Sequence, residues 1–125
     1  MSGEGDLEFK DRQELRRWLE LNHATVSQAW VVIYKKHSDM QGLRYEEAVE
    51  EAVCYGWIDG KMNRVDDDRF RQRFTPRRTN SVWSQSNKDR ATRMIDAGLM
   101  TEAGIAAVDE AEQNGAWSQA YTSRP

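Results

Sequence analysis

The chain has 125 residues, 38% hydrophobic and 31% charged, with a net charge of -3; that is the length of one domain, with enough apolar content for a core that needs neither disulfides nor a metal. No apolar run approaches the roughly 20 residues that a membrane-spanning helix needs, and the opening MSGEGDLEFK has neither part of a secretory signal, so a cytoplasmic protein with no membrane partner is expected. One cysteine, Cys54, excludes an internal disulfide, and His23 and His37 beside it lack zinc-ligand spacing, so neither a metal nor a cofactor is expected.

Residues 1–8 are small and acidic and read as a loose tail. Asp11 with Glu14, followed by Leu15, Trp18 and Leu19, predicts a helix over about 11–23 that turns Arg12, Arg16 and Glu20 toward solvent. QAWVVIYKK (28–36) is β-branched and aromatic on both alternating faces, which predicts an inner strand. Residues 37–42 form a polar loop. Tyr45, Ala48, Val49, Ala52 and Val53 make one apolar helical stripe, with Glu46, Glu47, Glu50 and Glu51 opposite and Gly56 as the stop. Cys54 lies off the centre of that stripe, as a half-buried filler.

Trp57 to Val65, Asp66-Asp67-Asp68 and Arg69 to Thr75 predict a hairpin with an acidic turn. Setting Val65 opposite Arg69, Lys61 opposite Arg73 and Asp59 opposite Thr75 sorts the faces. Ile58, Gly60, Met62, Phe70 and Phe74 share one; Trp57, Asp59, Lys61, Asn63, Arg69, Arg71 and Arg73 share the other. Asp59 would then reach Arg73 or Arg77, and the like charges of Lys61 and Arg73 would want an anion between them. Pro76 ends the strand. Ser84 and Thr101 are helix caps, Gly115 a stop, and Trp117 and Tyr121 fold back as anchors. The fold class expected is α+β, a small antiparallel sheet of three strands with about four helices mostly on one side, as a single domain over 9–121 with loose tails at 1–8 and 122–125.

Charge is unevenly spread. Lys61 to Arg93 holds ten basic residues against four acidic ones, a local excess of six on an acidic chain. That contrast suits a specific anionic partner better than general nucleic-acid affinity, which comes with a basic domain.

The blocks CYGWIDG (54–60), RFTPRR (73–78) and SVWSQSN (81–87) resemble the YdeI/OmpD-associated family, often labelled bacteriocin-protection proteins. The resemblance runs from about Phe9 to Tyr121 and takes in EEAVEEAVCYGWIDG and MTEAGIAAVDEA. It implies a role in antimicrobial stress and a link to an outer-membrane porin, with no reaction attached. The family's characteristic residues fall on Trp57, Asp59, Gly60, Arg73, Phe74, Pro76, Arg77, Trp83, Ser84 and Asn87.

The site expected from these residues is a ligand-binding one, made of Trp57, Asp59, Lys61, Asn63, Arg71, Arg73, Arg77, Trp83, Ser84 and Asn87. Arginine forks suit carboxylate or phosphate, Asp59 would orient a guanidinium, and the two tryptophans would wall the site against water. The partner is then an anionic small molecule or acidic peptide. The plainer alternatives are a solvated arginine face laced with ion pairs, and tryptophans that are core aromatics. A single-stranded nucleic-acid module could use the same parts, with bases stacked on tryptophan, but the acidic turn disfavours it. An enzyme could draw on Asp59 as base and Ser84 or Cys54 as nucleophile; no histidine partner lies near them in sequence, and no catalytic residue is assigned.

Overall fold

Local signals set most element boundaries. The computed structural model describes residues 5–121, and its elements in chain order are β1 (Asp6–Leu7), α1 (Arg12–Asn22), β2 (Ala29–Tyr34), α2 (Tyr45–Cys54), β3 (Trp57–Arg64), β4 (Arg69–Pro76), α3 (Gln85–Asp96) and α4 (Glu102–Asn114). The Asp11, Ser84 and Thr101 side chains accept the backbone N–H of Glu14, Asn87 and Gly104, so each cap satisfies a donor that its helix cannot. Gly115 ends α4 at φ 88, a left-handed backbone that favours glycine. In the hairpin turn Asp66 Oδ1 accepts both the Asp68 and Arg69 N–H groups at 2.9 Å.

The sheet is four-stranded and mixed, in the order β1-β2-β4-β3, rather than the three antiparallel strands expected. The extra strand is β1, which pairs parallel to β2 through Asp6 and Leu7 and lies within the stretch expected to be a loose tail. Residues 1–4 and 122–125 of the expected tails lie outside the described residues. As expected, β2 is an inner strand, antiparallel to β4.

The hairpin register is the expected one from Met62 to Arg64, which face Gln72 to Phe70, and shifts by one beyond Met62, where Asp59 faces Phe74 and Trp57 faces Pro76. Gly60 and Lys61 together span the place opposite Arg73, a bulge that glycine tolerates well. The buried Gln72 side chain donates to the Gly60 carbonyl and holds the bulge. Because side chains alternate, the shift carries Trp57 and Asp59 onto the face of Gln72 and Phe74 and sends Ile58 to the other.

That inner face meets α2. Ala48, Val49, Ala52 and Val53 are buried with Val31 and Ile33 of β2, Leu15 and Leu19 of α1, Ala91 and Met94 of α3, and Val108 and Ala111 of α4. Cys54 is fully buried rather than half-buried. Glu51, expected on the solvent side of α2, is only 3% exposed because α1 lies over it; its carboxylate takes Arg12 at 2.7 Å and Arg16 at 2.8 Å.

The crossing of α4 over the end of α2 leaves no space for a side chain at Gly104. A Cβ there would stand 2.4 Å from the Cys54 carbonyl oxygen, which Thr101 already engages through its N–H at 3.1 Å and its hydroxyl at 2.5 Å. A Gly104→Ala variant is expected to lose roughly 1–3 kcal/mol by overpacking, measured by urea unfolding. Among the described residues no helix is long and apolar enough to cross a membrane, and no group of three His, Cys, Asp or Glu could hold a metal ion.

Candidate functional site

The residues expected to form one site divide into three places. On the outer face of the sheet, Arg71 lies 4.0 Å from the Trp30 ring centroid and pairs with Asp6 at 2.8 Å, while Arg73 donates to Gln28 Oε1 at 2.8 Å. Asn63 faces Arg71 across the ladder, and Lys61 is exposed at the bulge. Asp59 is not with them. Contrary to expectation it pairs with neither Arg73 nor Arg77, because the register shift puts it on the inner face.

Asp59 instead joins a polar cluster between β3, α2 and α3. Its Oδ2 accepts the Tyr45 hydroxyl at 2.9 Å and its Oδ1 accepts Asn87 Nδ2 at 3.3 Å. Asn87 Oδ1 in turn accepts Arg90, whose guanidinium also holds Glu46 through bonds of 2.8 and 2.9 Å. Ser84 caps α3 by accepting the Asn87 N–H at 3.0 Å. This cluster ties the helices to the sheet, with its hydrogen bonds made among its own members.

The third place gathers Trp57, Arg77 and Trp83 around a cavity of about 320 Å³. Trp57 and Trp83 are 1% and 3% exposed, each held from behind by another indole: Trp18 edge-on to Trp57 with centroids 6.1 Å apart, and Trp117 on Trp83 at 5.1 Å. The expectation that Trp117 and Tyr121 fold back is met, since the Tyr121 backbone brackets Trp83 and Gln85 with bonds of 3.0 and 2.6 Å. The opposite wall is Tyr55, Glu110 and the alanines of α4.

Arg77 is the group that sets the chemistry here. Its guanidinium stacks on Trp83, with Cζ 3.6 Å from the ring centroid, and Nη1 donates to Ser81 Oγ at 2.6 Å and to the Val82 carbonyl at 3.1 Å. Nε and Nη2 are shielded from solvent and have no hydrogen-bond partner. No carboxylate pairs with it among the described residues; burial lowers its pKa to about 10, against a smaller upward pull from Asp59. The head stays cationic at neutral pH, so the fold holds a desolvated positive charge with unused donors beside a cavity. That combination is costly unless something negative completes it.

Other reactive groups are subdued. Burial pushes the Cys54 thiol upward, away from the thiolate form. The phenols of Tyr45 and Tyr55 are each raised to about 12, by burial first, then by the Asp59 charge for Tyr45 and the hydrogen bond to Glu20 for Tyr55. A phenol ionises near pH 10 in the unfolded chain, so these two favour folding fully below that value and lose the contribution as pH rises from about 10 to about 12. Arg77, with its lowered pKa, acts in the opposite sense as one group against two. Stability is therefore expected to fall over that window, with late phenolate absorbance in an alkaline titration as the check.

Sequence reasoning missed Tyr45 as the partner of Asp59, and missed Tyr55, Ser81 and the α4 wall as neighbours of Arg77. The run of small residues in GIAAVDEA was the available signal for a close helix.

The fold and this cavity define a small α+β domain with a partly buried arginine, Arg77, at a tryptophan-lined pocket. The chain belongs to DUF8412, a domain of unknown function, whose family profile matches residues 7–107. No curated protein and no solved structure matched the chain. The matched span includes Arg77 and Trp83 but ends before Trp117.

Proposed function

We propose that the protein is a non-catalytic, cytoplasmic binder of a small anion, a phosphate or carboxylate carried by a small molecule or by an acidic peptide, with Arg77 as the anion's partner and Trp57 and Trp83 as walls. The observation that carries this reading is the Arg77 guanidinium, partly buried, without a carboxylate partner among the described residues, and with two solvent-shielded nitrogens unused. An entering anion draws the head off Ser81 and turns its free edge into the cavity, whose 320 Å³ suits one head group, near the small end of ligand pockets at about 300–1,000 Å³. The same anion relieves the burial penalty, so binding and stability are coupled. The groups that could carry nucleophilic or acid–base chemistry support a binding role: Asp59 is taken up by Tyr45 and Asn87, Ser84 by its cap, and Cys54 by the core. A place in protection against antimicrobial stress is the physiological side of the proposal, and rests on the resemblance to the YdeI/OmpD-associated family.

The test is thermal unfolding and calorimetry in a zwitterionic buffer with inorganic phosphate, dicarboxylates, nucleotides, an acidic tetrapeptide and a single-stranded oligonucleotide. A bound anion at about 100 times its Kd is expected to add about 2.7 kcal/mol and raise the melting temperature by several degrees. No shift with any anion sinks the reading; a shift only with the oligonucleotide, falling steeply with salt, would transfer it to nucleic acid.

A further inference from the structure

A second concavity lies away from Arg77, between the start of α2 and the tip of the hairpin. α2 begins at Tyr45, whereas β3 and β4 continue to the Asp66–Asp68 turn, so the inner face of the hairpin runs on past the helix. Met62 and Phe70 belong to that face, because Met62 pairs with Gln72 and Phe70 with the core residue Ile33. They and Tyr45 give the open groove, about 950 Å³, an apolar floor on which Met62 is 54% exposed.

The rim is net positive, with Lys35, Lys36, Arg44 and Arg90 against Glu46. Arg90 is neutralised by Glu46. Lys35, Lys36 and Arg44 remain, and none of the three forms an ion pair among the described residues. Lys35 Nζ donates to the Asp66 carbonyl at 3.1 Å, and Arg44 clamps the preceding loop through the carbonyls of Lys35, Ser38 and Met40. Carbonyl oxygens hold Lys35 and Arg44 in place while Lys36 stands exposed beside them, and no carboxylate among the described residues pairs with any of the three, on a chain whose net charge is -3. Fixed cations around an apolar floor are complementary to a ligand with one anionic end and an apolar body.

We propose that this groove binds an amphiphilic anion, an acyl or aryl chain lying on Phe70 and Met62 with a carboxylate or phosphate head among Lys35, Lys36 and Arg44. The site is separate from the Arg77 cavity and does not depend on it. The test uses decanoate, decyl phosphate and the neutral 1-decanol below their micellar concentrations, read by calorimetry and by the methionine methyl signals in NMR. Either decyl anion is expected to shift the Met62 methyl and to bind at least about 10-fold more tightly than decanol, and the tighter of the two identifies the head group. Lys36→Glu, a change at an exposed residue, and Met62→Asp are each expected to weaken binding about 10-fold or more. The Met62 methyl reports the groove alone, since Met62 does not line the Arg77 cavity, so its shift should saturate at the same anion concentration whether or not an anion also occupies that cavity. An unmoved Met62 signal, decanol binding equal to that of the anions, or undiminished affinity in folded Lys36→Glu protein would overturn the proposal.

Discussion

An Arg77→Met variant is expected to lose at least about 30-fold in affinity for the anion that binds the parent, yet to unfold no more easily than the parent in anion-free buffer. Removing one partner of a buried, hydrogen-bonded charge pair costs roughly 2–5 kcal/mol of binding, and about 2 kcal/mol is 30-fold. In the free protein the balance differs. The variant gives up the Nη1 bonds to Ser81 and Val82 and the stacking on Trp83, but it also removes a desolvated cation whose Nε and Nη2 have no partner. Replacing buried charge by an apolar chain of similar length is often neutral or stabilising, and a thioether packs well against an indole. The Arg77 backbone N–H keeps its 2.9 Å bond to the Gly56 carbonyl, so the strand end stays anchored. If Arg77 were only a structural strut, the variant would be destabilised by more than about 1 kcal/mol and binding would not change. Unfolding curves with and without phosphate separate the two.

How far the fold could be read from residues depended on whether the cause was local. Asp11, Ser84, Thr101 and Gly115 act on their own or adjacent turns, so helix ends were legible from the cap residue and its spacing. β1 was not, because two residues, Asp6 and Leu7, carry no period, and become a strand only by pairing with β2. The hairpin was legible from its alternation, and its register held as far as Met62. It failed at Gly60, where an isolated glycine in a strand pattern is the usual mark of a bulge. That one residue moved Asp59 from the arginines to Tyr45 and Asn87.

The candidate site was legible to a similar depth. Arg77 and Trp83 are close in sequence, and their stacking needs only the turn after Pro76. The α4 wall of the cavity depends on Gly104 letting two helices approach across the end of α2, a long-range event that spacing cannot announce. The dense arginine run divides by neighbour: Arg71 met Asp6, Arg73 stayed exposed beside Gln28, and Arg77 was shielded from solvent without meeting an acid, which is why among these three only the last is left with unused donors that are buried.

The bulge also decides the cost of changing Trp57. With the expected register Trp57 would stand on the outer, polar face, and truncation would cost less than about 1 kcal/mol. On the inner face it is 1% exposed and packed edge-on against Trp18, and a Trp57→Ala variant is expected to lose about 3–5 kcal/mol through lost transfer energy and the cavity left behind. For a domain of this size, whose whole stability is roughly 5–15 kcal/mol, the melting temperature should fall by roughly 10–20 °C. Trp57→Phe retains an aromatic edge toward Trp18 and should cost less than half as much, leaving a folded protein with a wider wall facing Arg77. Denaturant unfolding of the two variants therefore measures the register, and phosphate binding by the phenylalanine variant measures what the indole contributes to the pocket. A small loss for alanine would place Trp57 on the outer face and remove it from the site altogether.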